Sequence, residues 1–549
     1  MATKQRQSRS RATRLSAESL EGRQLLSGTV SGMDTAGDRW TLTVIGKGAI
    51  QVLKQNDSTG SPAALNSATE INSITLSGTD PTSTRLVDTV VPAAGSSGKV
   101  YFQSLTELPN RSERTGNNLG ILAINIPDFY LANTSAAPTS TSASTTPAAS
   151  AYINIPDGIN SLRFGGADTT VSFATGTGVP LSQNNTSDQF LIRLGLPIAN
   201  GTDVIVNTIT TTGQAAAAPT SSTTNPTPTQ DSVVLQVAGR LNLFQANAIN
   251  GNTTVAPAAA GFSGGTIIAS LPDPTTGLIG QIGFVRVGGN ATNFSVLTNS
   301  QIADLYVGGE TNNVSVLAPT SIRNLHFGRG LDSSTILTHQ IENLQTNRGM
   351  LNSRIVTERS IGNSTFGGDV VNSTVLAGYL QGLSGVITTI ENNETQLGQF
   401  FQTAVTLPTP TAQAAGLITT NIAGDVTNSV IAASDNPISQ VTSTANGTTP
   451  IVQNFGNPQD AFLPIGRILA RVEGSIDNST VTPLMPSTAF YAKSVKLTRG
   501  AVAPPNVTEP PLPKPATPVT LRGIPRVFPN VNGKLETQVP GNQIPRTHN

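Results

Sequence analysis

The stretch IADLYVGGETNNVSVLAPTSIRNLHFGRGLDSSTILTHQ, residues 302 to 340, runs through one pattern twice. Each line opens on Ile-x-x-Leu-x-(Val or Phe)-Gly, reaches an Asn or Ser, and then passes through a β-branched strand. Read outward from there, the leading aliphatic residue falls at Ile282, Ile302, Ile322, Ile341 and Ile361, with intervals of 20, 20, 19 and 20. Val296, Val316, Ile336, Ile355 and Val375 follow at the same intervals, so two columns drift together. A period of this size marks a repeat architecture, in which each unit buries its apolar face against the next.

Leucine-rich repeats share the period and the opening, but their second half often carries helix formers. Here NNVSVLA, DSSTILT, LNSRIVT and VNSTVLA are β-branched and alternate as strands do. The predicted fold is therefore all-β: a parallel β-helix with about 20 residues per coil, a strand-rich N-terminal region and disordered termini. The glycine pairs Gly288-Gly289, Gly308-Gly309 and Gly367-Gly368 fall at a corner, where positive φ or close backbone approach favours glycine. Two polar columns read as structural ladders of stacked amides. One holds Asn293, Asn313, Asn352 and Asn372, with Ser333 between; the other holds Asn324, Asn343 and Asn363, with Asp304 before them. A ligand-binding face is the alternative reading of these columns.

The pattern recurs at INSLRFGG (159 to 166) and, in its second half, at Asn428 and Asn478. This divides the chain into a basic N-terminal segment (1–28), a β-rich region (29–151), an interrupted solenoid (152–490) and a Pro-rich tail (491–549). In the β-rich region, Trp40, Leu42 and Val44 alternate with Thr41 and Thr43 as in a half-buried strand. Segments such as 133–151, 208–230 and 403–416 are rich in Ser, Thr, Ala and Pro and read as loops thrown out from the coils.

Composition narrows function. Lys plus Arg (32) balances Asp plus Glu (32), and charged residues make up only 12%; a general nucleic-acid binder needs a cationic surplus, so no nucleic-acid partner is expected. Cysteine is absent, which excludes disulfides and thiolate chemistry. No apolar run approaches the roughly 18 residues of a transmembrane span, and no cofactor or metal motif occurs.

Residues 1 to 14 carry Lys4, Arg6, Arg9, Arg11 and Arg14 with no acid before Glu18, and no apolar core of a secretory signal follows. A transit peptide or a disordered basic tail would also fit that composition. The adjoining ESLEGRQLLSG (18 to 28) resembles the LEPR-xLL motif of planctomycete surface and secreted proteins, through Leu20, Glu21, Arg23, Leu25 and Leu26, with Gly22 where the family has Pro. That resemblance implies export to the cell surface or outside the cell. It implies no chemistry.

Catalytic patterns are thin. GFSGG (261 to 265) satisfies G-x-S-x-G around Ser263, but a strand-like segment follows where a nucleophile elbow needs a helix. His326, His339 and His548 show no paired ligand spacing, and His326 reads as an exposed surface residue. Asp304, Arg323 and Glu342 form one charged gathering, read as a solvated trio. The expected role is a non-catalytic structural or adhesive protein of a bacterial envelope, with envelope components or polysaccharide as partners. A polysaccharide-active enzyme or glycan-binding module is the alternative.

Overall fold

In a computed structural model the residues described are 28–54, 65–108, 120–133, 151–173, 180–182, 189–195, 201–211, 232–251, 265–271, 279–378, 416–433, 467–482 and 490–497. They form 31 β-strands and no helical element, so the chain is all-β with a repeated strand architecture. Residues 1–27 of the basic segment, most of the Ser/Thr/Ala/Pro-rich stretches, Ser263 and residues 498–549 lie outside the described residues, while residues 491–497, assigned to the tail from the sequence, belong to a strand, Phe490–Leu497, that pairs with Arg467–Thr482.

The repeat appears as parallel ladders between strands one period apart. Leu241, Ile282, Ile302, Ile322, Ile341, Ile361, Ile418 and Ile468 pair in a single column. All eight are buried. Each is worth about 1.5–3 kcal/mol of burial, which makes the column a principal source of stability. A second internal column runs through Val296, Val316, Ile336, Ile355, Val375 and Ile431. Between these two long strands lies a short one, for example Leu331–Asp332 or Met350–Leu351.

Residues 279 to 378 run without a break in the described chain. Elsewhere the described strands stop at two kinds of junction. Before residue 265 the chain often leaves after the short-strand level, at Asn133, Thr211 and Gly251. At Gly378, Ala433 and Thr482 it leaves after the second long strand and resumes on a first long strand.

The N-terminal strands are arranged differently. Thr29–Met33, Arg39–Ile45 and Arg85–Val91 pair antiparallel, as do Ala49–Lys54 and Ile71–Ser77. Parallel pairing begins where Ile71–Ser77 meets Val100–Leu108 and where Arg85–Val91 meets Ile121–Asn133. The parallel ladder then crosses residue 151 without interruption, because Ile121–Asn133 pairs with Ile159–Phe173. Trp40, Leu42 and Val44 are buried, and Trp40 meets Phe129 edge-on at 6.3 Å between centroids. That contact joins the antiparallel strands to the parallel ones.

The glycine pairs serve close approach and not positive φ. A Cβ on Gly308 would sit 2.4 Å from the Gly288 carbonyl oxygen, so the backbone of successive corners leaves no room for a side chain. Positive φ falls on the neighbouring polar column instead: Asn293, Asn313, Ser333, Asn352, Asn372 and Asn428 lie between 47° and 54°.

Candidate functional face

Three polar columns and one groove carry most of the chemistry-bearing side chains of residues 279–378. The first column begins with the left-handed residues. Asn tolerates this conformation better than other side chains because its short amide bonds locally. Across the stack, the Asn313 amide donates to the Asn293 side-chain oxygen at 2.6 Å, and Asn372 donates to Asn352 at 3.3 Å.

From Ser333 onward, the residue after each of these turns forms a second column that sequence reading missed. Ser334, Ser353, Ser373, Ser429 and Ser479 are at most 3% exposed. Each hydroxyl accepts the backbone N–H of the preceding repeat: Val314 to Ser334 at 3.1 Å, Ser334 to Ser353 at 3.0 Å, Ser353 to Ser373 at 3.1 Å, Ser373 to Ser429 at 3.0 Å and Ser429 to Ser479 at 2.9 Å. The same hydroxyl then donates to a carbonyl two residues back, as Ser353 does to Leu351 at 2.7 Å. The left-handed turn breaks the strand ladder at this point, and a buried N–H without a partner is costly. Serine restores the bond. The recurrence of Ser at one repeat position was the available signal.

The third column stands on the first long strand. Asn363 donates to Asn343 at 3.4 Å, and Asn343 to Asn324 at 2.9 Å. Asn324 in turn bonds to Asp304, so the amides point in one sense and end on a carboxyl. Asp304 is 2% exposed, with no partner for Oδ2 among the described residues. Burial raises its pKa, opposed by Arg286 and by the Asn324 bond.

The charged trio read from the sequence is therefore split. Arg323 Nε and Glu342 Oε2 are 3.9 Å apart with both side chains more than half exposed, whereas Asp304 occupies the next column and is sealed from water. The cause is local: after the leading Ile, the ladder skips one position, which places two successive residues on the outer face. His326 is half-buried and not exposed as expected. Its ring stacks on Tyr306 at 5.0 Å and 7°, and burial lowers its pKa against an opposing bond from Gln345. His339 Nδ1 lies 2.5 Å from Glu358 Oε2, and among the described residues this pair is not part of a group of three that could hold a metal ion.

A shallow groove of about 410 Å³ follows the short strands, lined by Glu310, Arg329, Asp332, Arg348, Leu351 and Asp369 among others. Arg329 Nη1 meets Glu310 Oε1 at 2.8 Å in a solvent-exposed pair. Exposed pairs of this kind contribute little to stability.

In the N-terminal region the buried polar groups include charged ones. Lys54 is fully buried and donates to the carbonyls of Met33, Leu65 and Ser67. Glu70 accepts from the Thr35 hydroxyl and is raised to about 7 by burial, while burial lowers Lys54 to about 8. Glu107 accepts from Thr79 at 2.5 Å and is likewise raised to about 7 by burial.

Among the described residues no group of three side chains could hold a metal ion, and no helix is long and apolar enough to cross a membrane. Leu20, Glu21, Arg23, Leu25 and Leu26 lie outside the described residues. No protein-family model, curated protein or solved structure matches the chain.

Proposed function

We propose that the described strands wind as a parallel β-helix within a non-catalytic structural or adhesive protein exported to a bacterial cell envelope. The observation that carries this reading is where the polar side chains are spent. The Asn and Ser columns bond from one repeat to the next, so groups that could meet a ligand hold the stack together instead. The constant parallel offset near 20 residues supports the winding. Export rests on the LEPR-xLL resemblance of Leu20 to Leu26.

The polysaccharide-active alternative asks for carboxylates gathered on one open face, and Asp304 and Glu342 do not meet that requirement. A glycan platform asks for an aromatic face turned to solvent, whereas Tyr306 and His326 turn faces to each other.

The test is fractionation of the native cells with mass spectrometry of the N-terminus in each fraction. Recovery from the envelope or medium, with a chain starting near Ser27, is the expected result. An intact basic N-terminus recovered from the cytosol would overturn the envelope reading.

A further inference from the structure

The corner that leads into each short strand changes its residue types in two consecutive repeats. Strand register aligns Asn290, Glu310, Gly330, Gly349, Asp369 and Asp425 immediately before that strand, with Gly289, Gly309, Arg329, Arg348, Gly368 and Gly424 one residue earlier. Glycine followed by a polar residue thus becomes arginine followed by glycine at 329–330 and 348–349. In the flanking repeats the polar side chain serves the stack: Asn290 Oδ1 accepts the Glu310 N–H at 2.9 Å, and Asp369 Oδ1 accepts the Asp425 N–H at 2.8 Å. Gly330 and Gly349 have no side chain to do so. A Cβ on Gly349, at a φ of 139°, would sit 2.2 Å from the Asp369 carbonyl oxygen.

The ridge of corner side chains is therefore notched between Glu310 and Asp369, three strand spacings or roughly 14 Å apart. This notch is the groove of about 410 Å³ described above, a volume in the range of small-ligand sites. Arg329 and Arg348 stand on one side. On the other, Asp332, Leu351 and Val371 pair in register and alternate with the internal Leu331, Met350 and Val370, so they point outward. Arg329 is held by Glu310. Arg348 is exposed and forms no hydrogen bond or ion pair among the described residues, although Asp332 and Asp369 line the same groove. Leu351, 40% exposed, is one of the few large apolar side chains open to water among the described residues.

We propose that this notch binds a short stretch of an acidic polysaccharide, with the Arg348 guanidinium on a sugar carboxylate, the Asp332 and Asp369 carboxylates on sugar hydroxyls, and Leu351 against the apolar face of a ring. A guanidinium with no partner offers a two-pronged donor that matches a carboxylate. The two aspartates accept from hydroxyls and repel a bare anion, so the set selects a ligand carrying both groups. An extended peptide would need a free strand edge, and the short strands at 331–332 and 350–351 are paired on both sides. Such a ligand makes the adhesive reading above specific, and the proposal rests on that reading for its setting alone. Binding is measured on the isolated chain, so its failure leaves the envelope reading standing, and a cytosolic location would leave the binding result standing.

The test is calorimetric titration of the full chain with a short oligogalacturonate and a short oligoguluronate, and with the same oligosaccharides after reduction of their carboxyls to neutral alcohols. Saturable binding of at least one acidic form is expected, tighter than its neutral counterpart by about tenfold or more. Arg348→Ala should weaken it by about the same factor while leaving the melting temperature unchanged, since Arg348 has no partner to lose. Arg323→Ala, which removes an exposed arginine of the same repeats outside the groove, should leave the affinity unchanged. No saturable binding, equal affinity for acidic and neutral forms, or an Arg348→Ala affinity equal to that of the parent or of Arg323→Ala would overturn the proposal.

Discussion

Residues 279–378 and residues 28–108 both bury polar groups, but they do so in opposite ways. In the uninterrupted repeats the buried groups are mostly neutral hydroxyls and amides, and the Ser and Asn columns among them bond to their counterparts one strand away. In the N-terminal strands they include Lys54, Glu70, Glu107, Asp34 and Asp38, satisfied by one-off contacts to turns and carbonyls. The difference follows from pairing. A parallel stack offers every repeat the same partner above and below, whereas antiparallel strands at the end of the stack have no counterpart to copy. Charged groups fill those special positions. They bring pH dependence with them, which the repeats largely avoid.

The largest expected effect that would break this contrast is in the N-terminal strands. Lys54→Met removes the donor to three carbonyls and leaves Glu70 and Asp34 without their nearby cation. Loss of a buried charge partner costs about 3–5 kcal/mol. Chemical denaturation of that region, followed through Trp40, should show the loss, and a change below about 1 kcal/mol would mean the cluster is not a structural anchor.

The pH response comes next. Glu70 and Glu107 are raised from 4.5 to about 7, so their folded forms bind protons more tightly than the unfolded chain does. Their contribution is full below 4.5 and is lost as pH rises through about 7. Lys54, lowered from 10.5 to about 8, penalises the fold below about 8 and releases that penalty towards 10.5. The N-terminal strands should thus be least stable between pH 7 and 8, by about 2 kcal/mol for each of the two glutamates relative to pH 5. Hydrogen exchange at the two pH values checks this, and Glu70→Gln together with Glu107→Gln should flatten the difference while strands within 279–378 show little change.

Within the repeats, Ser353→Ala should cost about 1–3 kcal/mol, because the Ser334 N–H and the Leu351 carbonyl both lose their bond. A shift in denaturation midpoint without a change in slope is the expected signature. The smallest effect separates the two Asn columns. Asn352, at a φ of 47°, should accept glycine with a loss of a few tenths of a kcal/mol, while Asn352→Leu should cost about 1–2 kcal/mol. Asn343 lies in a strand, so glycine there should be worse tolerated than at 352, and Asn343→Leu should lower the melting temperature by removing two amide bonds. Equal responses at 343 and 352 would show that backbone conformation does not distinguish the columns.

The paired columns of Ile302 and Val316 were readable because apolar periodicity survives in the sequence whatever the neighbouring side chains do. The Asn columns were visible too, but not the reason for one of them. Asn352 and Asn343 look alike in text, and only backbone geometry separates a left-handed turn from a strand position. Ser353 was hidden because its task is to serve a backbone N–H in another repeat, and backbone groups leave no letter in a sequence. The trio of Asp304, Arg323 and Glu342 was misread as equally solvated, since the skipped ladder position that separates their columns depends on local register. At the N-terminus the antiparallel strands alternate just as parallel ones would, so Trp40, Leu42 and Val44 disclosed burial but not direction.

The junctions at Gly378, Ala433 and Thr482 have an evolutionary meaning. The strands on either side of each are pinned by their ladders, so the two ends of an intervening segment are positioned by the stack and not by the segment. Added length there costs only a slowly growing closure entropy. Selection can therefore lengthen, shorten or rewrite these segments without renegotiating the strands, which lets one framework explore many surfaces by mutation confined to its junctions.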